Sequence, residues 1–125
     1  CNPNVRTAPV LTGRVVEEVE INKNRSAREH MLCLWEDVLA PSQARRIYYV
    51  AHRRAGPAVL NLIRAREFKI LPRLCGVAFI DSLHECTVDD DSDDIFEFMG
   101  DSAINWVTSD SPLDSPLPRD ARRAC

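Results

Sequence analysis

Two histidine–cysteine pairs have the residue types that bind transition metals. His30 and Cys33 are separated by one helical turn, while His84 and Cys86 are two residues apart and would lie on one face of a strand. Nitrogen and sulfur ligands of this kind can form a tetrahedral zinc site. Neither pair has a standard zinc-finger spacing, and Cys33 lies on the apolar side of its predicted helix. We therefore interpret both pairs as ordinary core and surface residues.

A calcium site can be tested against the EF-hand loop. Asp89, Asp91 and Asp93 follow its alternating ligand positions. The sixth position requires glycine and the twelfth glutamate, but this chain has Asp94 and Gly100 there. The pattern fails at both positions, so we predict no metal site and no cofactor.

Covalent catalysis requires a nucleophile beside a base. The chain has three histidines and five cysteines, but only four glycines. It contains neither a G-x-S-x-G nucleophile motif nor a glycine-rich phosphate loop. We therefore predict no catalytic residues and a non-enzymatic function.

The cysteines are widely spaced, and two of them stand at the chain ends. Chain ends often lie close together, so Cys1 and Cys125 are candidates for a disulfide that would stabilise the fold by about 4–5 kcal/mol. In the alternative of a secreted protein, a second bridge would join Cys75 and Cys86 in addition to the bridge between Cys1 and Cys125. Because Cys1 stands in place of methionine, we expect a processed or excised chain. Its compartment, intracellular or secreted, stays open.

The charged residues are sorted along the chain. Residues 41–73 contain eight Lys or Arg and one acid, whereas residues 74–118 contain eleven Asp or Glu and no Lys or Arg. The net charge of the whole chain is only −3. Such segregation predicts two oppositely charged surfaces, which affect partner choice more than fold.

The basic stretch predicts a partner-binding face on two adjacent helices. Its residues are Arg45, Arg46, Tyr49, Arg53, Arg54, Arg64 and Arg66. Arginines bind phosphate backbones, and an aromatic ring can stack on a base. The acidic net charge argues against nucleic acid, because nucleic-acid-binding domains are usually basic. We expect a protein partner first and nucleic acid second.

The acidic stretch predicts a second surface. Its residues are Asp89, Asp90, Asp91, Asp93, Asp94 and Phe96. Carboxylates at this density repel one another, which favours a solvated loop. The loop either folds back to neutralise the basic face or docks a basic partner.

Local patterns predict the elements that would carry these surfaces. Valine-rich residues 10–21 favour a strand, and 22–24 a turn. Ser26 and Glu29 form a capping box before an apolar stripe at helical spacing, from Met31 to Leu39. A second helix is expected over residues 44–53, with Ala44, Ile47, Tyr48 and Ala51 on its inner side. A third is expected over about 57–68.

The second half has shorter apolar runs. Residues 76–80 have strand length, and residues 85–88 could pair with them. Residues 95–99 and 103–107 flank Gly100-Asp101-Ser102, which is typical of a hairpin. No apolar run approaches the roughly 18–20 residues that a membrane span requires.

Together these elements predict an α+β fold with three amphipathic helices on a small, mostly antiparallel sheet. An all-α helical bundle is the alternative. One globular domain over residues 10–108 would follow an extended lead (1–9) and precede a Pro/Ser/Asp-rich tail (109–125).

For function we expect a non-enzymatic interaction or regulatory module that uses the basic (41–73) and acidic (74–118) surfaces. A disulfide-stapled secreted effector and a nucleic-acid binder gated by its acidic segment are the alternatives. Partner identity and oligomeric state stay open.

Overall fold

The computed structural model describes residues 7–87 and 91–116 and divides into two compact units, the second of which begins at Ala44. The described residues form three α-helices, a two-stranded antiparallel sheet and a three-stranded parallel sheet. The α+β prediction is therefore confirmed, and the all-α alternative is wrong.

The first unit opens with a β-hairpin. Strands β1 (Thr7–Thr12) and β2 (Val15–Glu20) pair antiparallel, with Thr12 opposite Val15. Gly13 has a φ of +66° in the turn, a left-handed conformation that glycine adopts without steric cost. A single strand was predicted over residues 10–21; the extended conformation is confirmed for most of it, but the turn at Gly13 divides the segment between two paired strands.

Helix α1 (Ala27–Leu34) begins at the predicted capping box. The Ser26 hydroxyl accepts a hydrogen bond from the Glu29 amide at 3.1 Å. The Glu29 carboxylate in turn accepts from the Arg25 amide at 2.8 Å. A π-helical turn (Trp35–Leu39) extends the helix and buries Trp35. The helix stops before Pro41, as predicted.

The second unit alternates strands and helices. Its elements in chain order are β3 (Ile47–His52), α2 (Ala55–Ile70), β4 (Leu74–Ile80), α3 (Asp93–Ser102) and β5 (Ala103–Trp106). The strands are ordered β3-β4-β5 and run parallel. Parallel neighbours need a crossover, which α2 and α3 supply. The predicted mostly antiparallel sheet is therefore corrected, since the larger sheet of the described residues is parallel.

The core of this unit lies between the sheet and the two helices. Helix α2 packs against β3, and α3 packs against β4 and β5. The buried side chains include Ile47, Ala51, Val59, Leu62, Ile63, Val77, Phe79, Ile95 and Met99. Both crossovers advance in the same direction across the sheet. Right-handed crossovers then place both helices on one face. Because the three strands are parallel, their carboxyl ends lie side by side at one edge of the sheet.

The helix predicted over residues 44–53 is wrong. Ile47 and Ala51 fit a helical stripe, but they also alternate with exposed Tyr48 and Val50. Pairing with β4 decides between the two, because it satisfies the β3 backbone along its length. The third predicted helix is confirmed as α2. Pro57 lies in its first turn, where the missing amide proton has no helical partner to lose.

The hairpin predicted around Gly100 is also wrong. Ile95 and Met99 lie on the buried side of α3, and Gly100 is inside that helix. Ser92 caps the helix by accepting from the Ile95 amide at 3.2 Å. Strand β5 follows directly and runs parallel to β4. Residues 82–87 form no strand, so the pairing predicted for residues 85–88 does not occur in the described part, which ends at 87.

Cys33 and Cys75 carry free thiols, so the alternative bridge between Cys75 and Cys86 is wrong. Cys1 and Cys125 lie outside the described residues, and their bridge stays a prediction. Among the described helices, none is sufficiently long and apolar to cross a bilayer.

Candidate functional site at the carboxyl ends of the parallel strands

The turn between β3 and α2 has the backbone shape of a nucleophile elbow. Arg53 stands between strand and helix with a φ of +49°, a left-handed conformation rare for residues with a side chain. Its amide donates to the Ile80 carbonyl at 2.9 Å. Hydrolases use such a strand–turn–helix to present a serine between two small residues. Here Ala51 and Ala55 are the small residues, and Arg53 occupies the position of the serine.

Asp81 joins the ends of all three strands. It also has a left-handed φ, +52°, and its amide donates to the Trp106 carbonyl at 2.7 Å. One carboxylate oxygen accepts from the Thr108 amide at 3.2 Å, and the other lies 3.6 Å from Arg53 Nη2. The carboxylate therefore links the β3–α2 turn to the chain that follows β5.

A buried serine–histidine pair lies beneath this edge. The Ser82 hydroxyl and His84 Nδ1 are 2.8 Å apart, and the His84 ring stacks on Phe79 with ring centroids 3.6 Å apart. Burial lowers the pKa of His84 to about 4, so the ring is neutral at physiological pH. The Asn105 side-chain oxygen accepts from the Ser82 amide at 3.4 Å, which fixes the pair to β5.

Helix α2 approaches this pair unusually closely at Gly56. A Cβ atom at Gly56 would lie 1.7 Å from Ser82 Oγ and 2.9 Å from Ser82 Cβ. Only a residue without a side chain allows this approach. The Ser82 hydroxyl is thus enclosed between the helix and the His84 ring.

Besides the contact between Arg53 and Asp81, the basic and acidic stretches of the sequence meet at an ion pair on α2. The Arg64 guanidinium donates to both carboxylate oxygens of Asp91, at 2.6 and 2.7 Å, and to the Glu85 carbonyl at 3.0 Å. The Asp91 carboxylate is 0% exposed and also accepts from the Thr87 amide. The bond from Arg64 holds the pKa of Asp91 below its usual range.

The other predicted site residues are spread over the second unit. Arg45 and Arg46 precede β3, Tyr49 is within it, and Arg53 and Arg54 follow it. The predicted common helical face does not form, because β3 is a strand and separates these two arginine pairs. The Tyr49 hydroxyl is buried and finds no hydrogen-bond partner among the described residues.

On α2, Arg66 donates to the Ala65 carbonyl at 2.8 Å. On the acidic side, Asp93 and Asp94 lie in the first turn of α3, where they oppose the positive end of the helix dipole. Phe96 is exposed on that helix. Asp89 and Asp90 lie outside the described residues.

The first unit has its own polar cluster. Asp37 lies 3.0 Å from the Lys23 ammonium and accepts from the Cys33 thiol at 3.3 Å. The hydrogen bond to Asp37 raises the pKa of Cys33, which disfavours the reactive thiolate. Cys33 is therefore poorly suited to be a nucleophile.

Sequence reasoning missed Asp81, Ser82 and Asn105, and it considered His84 only as a possible base or as a metal ligand beside Cys86. The available signal was the position of Asp81-Ser82-Leu83-His84 directly after an apolar strand-length run. In parallel sheets, functional residues collect at the carboxyl ends of the strands. We predicted antiparallel strands, whose carboxyl ends alternate between the two edges of a sheet, so we had no reason to expect these residues at one edge.

Comparison with known proteins identifies the family. Residues 4–113 match the family model of the Arb2 domain. A Xenopus tropicalis protein named "Cotranscriptional regulator ARB2A homolog" is 34% identical over 100 residues, which cover 80% of this chain and 24% of that protein. The human "Cotranscriptional regulator ARB2A" is 32% identical over 100 residues, with the same coverage of each chain. A Dictyostelium discoideum homolog is 28% identical over 106 residues, covering 84% of this chain and 28% of its own.

The chain spans about a quarter of the length of these curated relatives. No solved structure matches it. The match to the family model covers most of the 125 residues, and the chain belongs to the Arb2 domain family.

Proposed function

We propose that this chain is a non-enzymatic regulatory domain that acts by binding a protein partner during transcription. The regulatory part of the proposal comes from relatives named as cotranscriptional regulators. The non-enzymatic part is carried by one observation: Arg53 occupies the nucleophile position of an elbow-shaped turn.

Arginine cannot perform the chemistry that this turn supports in hydrolases. Its guanidinium stays protonated in proteins and has no lone pair available for attack on a carbonyl. Arg53 also lies beside the Asp81 carboxylate, which holds the side chain at the end of the sheet. The turn therefore serves to join β3 to α2 rather than to present a nucleophile.

If the chain were a hydrolase, Ser82 and His84 would be the next candidates for the nucleophile and its base. Their contact resembles that of a nucleophile with its base. Both residues are buried, however, and Gly56 packs against the Ser82 hydroxyl. Asp81 would be the orienting acid, but its carboxylate oxygens face the Thr108 amide and Arg53. The pair is better explained as a packed polar link between α2, β4 and β5.

The charged surfaces favour a protein partner. Arg64 pairs with Asp91 and Arg53 with Asp81, which offsets two charges of each sign in the two stretches. The exposed arginines at the two ends of β3 are then separated groups that match individual carboxylates better than a continuous phosphate backbone. Protein binding thus accounts for both stretches without an enzymatic activity.

Two measurements test the proposal. Purified chain should show neither ester hydrolysis nor labelling by a fluorophosphonate probe, with a serine hydrolase as positive control. Tethered to a reporter gene, the chain should change nascent transcript levels. Arg45→Gln/Arg46→Gln/Arg54→Gln should abolish the change, whereas the equally exposed Arg14→Gln/Arg28→Gln should not. Probe labelling of the wild type, or an unaltered reporter, would refute the proposal.

A further inference from the structure

A short sequence repeat follows strand β5. Residues 110–113 are Asp-Ser-Pro-Leu, and residues 114–117 repeat the same four residue types in the same order. Of the eight prolines in the chain, only the two in this repeat directly follow a serine or threonine. A serine followed by proline is the core of the sequence that proline-directed protein kinases modify. The chain therefore presents that core twice, at Ser111 and at Ser115.

Both serine hydroxyls are accessible and unengaged. Ser111 and Ser115 are exposed, and in the described part of the chain neither hydroxyl takes part in a hydrogen bond. Most other serine hydroxyls are already engaged in hydrogen bonds, namely those of Ser26, Ser42, Ser82, Ser92 and Ser109. A phosphate on any of these would disturb an existing contact, whereas a phosphate on Ser111 or Ser115 disturbs none.

The backbone around the repeat is held only by local bonds. The Ser111 amide donates to the Ser109 hydroxyl at 3.0 Å, and the Ser115 amide donates to the Pro112 carbonyl at 3.2 Å. Across the described residues, no hydrogen bond joins the segment 109–116 to a helix or strand. The segment can therefore leave its position without breaking a bond to the sheet.

The turn within the repeat also opens at little cost. Asp114 has a φ of +60°, a left-handed conformation that is unfavourable for a residue with a side chain. Opening the turn relieves this strain in exchange for the one bond to the Pro112 carbonyl. A residue before proline prefers extended backbone, so the opened chain at Ser111 and Ser115 suits a kinase cleft, where the hydroxyl must reach the catalytic aspartate.

The proline after each serine has a physical role in such recognition. Proline is apolar, and it has no amide proton that burial would leave unpaired. A kinase pocket that is apolar and offers no hydrogen-bond acceptor therefore admits proline and discriminates against other residues. Pro112 and Pro116 are the residues that would enter this pocket.

We propose that Ser111 and Ser115 are phosphorylation sites of a proline-directed serine kinase. In each reaction the serine oxygen attacks the γ-phosphorus of ATP, the bond from that phosphorus to the oxygen bridging to the β-phosphate breaks, and ADP leaves. The catalytic aspartate of the kinase takes the hydroxyl proton. The inference goes beyond the proposed function and holds whether or not the chain binds a partner during transcription.

Two phosphates would change the charge of the segment strongly. Residues 107–116 contain Asp110 and Asp114 but no Lys or Arg. Each phosphate adds about −1.5 to −2 charges, so modification of both serines would take the net charge of the chain from −3 to about −6 to −7. Like charges at this density repel one another and favour an extended, solvated segment.

Mass spectrometry of the purified chain after incubation with magnesium ATP and a cyclin-dependent kinase tests the sites. We expect two phosphates, which fragment-ion spectra place on Ser111 and Ser115. Ser111→Ala and Ser115→Ala should each accept one phosphate. Pro112→Ala/Pro116→Ala keeps both serines and should be modified about tenfold more slowly or less, because alanine brings an amide that the pocket leaves unpaired. Ser109→Ala is the matched control, since Ser109 is exposed but precedes an aspartate, and it should leave the rate unchanged.

Two results of this assay would overturn the inference. One is phosphate on residues other than Ser111 and Ser115 alone, and the other is an undiminished rate for the proline variant. A synthetic peptide of residues 107–118 then tests whether the fold presents the sites. We expect the peptide and the folded chain to react at similar rates, and a chain that stays unmodified while the peptide reacts would also count against it.

Phosphopeptide mapping of the protein isolated from its native source tests the sites in cells. The cells are lysed with phosphatase inhibitors, after growth with or without inhibitors of the cyclin-dependent and mitogen-activated kinases, two proline-directed classes. We expect phosphate on Ser111 and Ser115, and less of it in the inhibited cells. Recovery of this peptide solely in its unmodified form, or with phosphate that the kinase inhibitors leave unchanged, would refute the proposal.

Discussion

Replacing Gly56 with alanine tests how closely α2 packs on the end of β4. In an ordinary helix this substitution is favourable by about 0.5–1 kcal/mol, because glycine loses more backbone entropy on folding. At Gly56 the added Cβ would lie 1.7 Å from Ser82 Oγ, 2.9 Å from Ser82 Cβ and 3.3 Å from the Phe79 ring. The structure thus predicts the opposite sign from helix propensity.

The magnitude follows from what must move. Rotating the Ser82 hydroxyl away would break its contact with His84 Nδ1. Leaving a buried polar atom unpaired costs about 1–3 kcal/mol. The remaining overlap with Cβ and the ring adds about 1–3 kcal/mol of overpacking. After the gain in helix propensity, we expect the free energy of unfolding to fall by about 1–5 kcal/mol.

Urea unfolding of the purified chain is the assay, and two further variants sharpen it. Gly100→Ala lies inside α3 with nothing within 4 Å of its new Cβ, so it should raise stability by up to about 1 kcal/mol. In a Ser82→Gly background, Gly56→Ala should become neutral or stabilising, which a double-mutant cycle measures as coupling. Gly56→Ala and Gly100→Ala shifting stability in the same direction would refute the reasoning.

Four other substitutions test separate features by urea unfolding. His84 has a pKa lowered to about 4. In the unfolded chain the pKa of this histidine is about 6.5, so as the pH falls the unfolded chain binds the proton before the folded chain does. The free energy of unfolding should therefore be independent of His84 protonation above pH 6.5 and should fall by up to about 1.4 kcal/mol per pH unit between about pH 6.5 and pH 4. The His84→Gln variant should lack this contribution to the pH dependence. Arg64→Gln leaves the buried Asp91 carboxylate unpaired and should cost about 2–3 kcal/mol at pH 7, a deficit that narrows in acid as Asp91 protonates. Ser26→Ala removes the hydroxyl that caps α1 and should lower the free energy of unfolding by about 1 kcal/mol. An unchanged free energy of unfolding would show that the cap does not stabilise the fold. Tyr49→Phe removes a buried hydroxyl without a described partner and should not destabilise the chain, whereas a loss above about 1 kcal/mol would reveal a missing hydrogen bond.

The elements that the sequence predicted correctly are those decided locally. The capping box at Ser26 and Glu29 fixes the start of α1 through bonds within four residues. The valine-rich composition of residues 10–21 favoured extended backbone, although the turn at Gly13 that makes a hairpin of it was not predicted. Each signal and its structural consequence lie within one short window, so no distant contact can override it.

The wrong predictions fall where distant pairing decides. Residues 47–51 satisfy a helical stripe and a strand alternation equally well, and β4, more than twenty residues further on, selects the strand. Ile95 and Met99 suggested a strand through their aromatic neighbours, but the Ser92 cap and packing on β4 favour a helix. Short apolar runs are ambiguous between the two periods when read alone.

The elbow-shaped turn explains why a search for catalytic motifs missed this site. Such a search depends on the serine of G-x-S-x-G, whereas the backbone shape depends on the small neighbours Ala51 and Ala55. A left-handed residue other than glycine costs about 1 kcal/mol or more, so it persists only where its surroundings compensate. Arg53 is compensated by its amide bond to Ile80 and by Asp81, itself left-handed and bonded to the chain after β5.

The same turn fixes the position of α2 relative to the end of β4. Gly56 packs against Ser82 and Phe79, and this contact holds α2 on the face of the sheet that contains Phe79. Val50 and Trp106 are exposed on the opposite face.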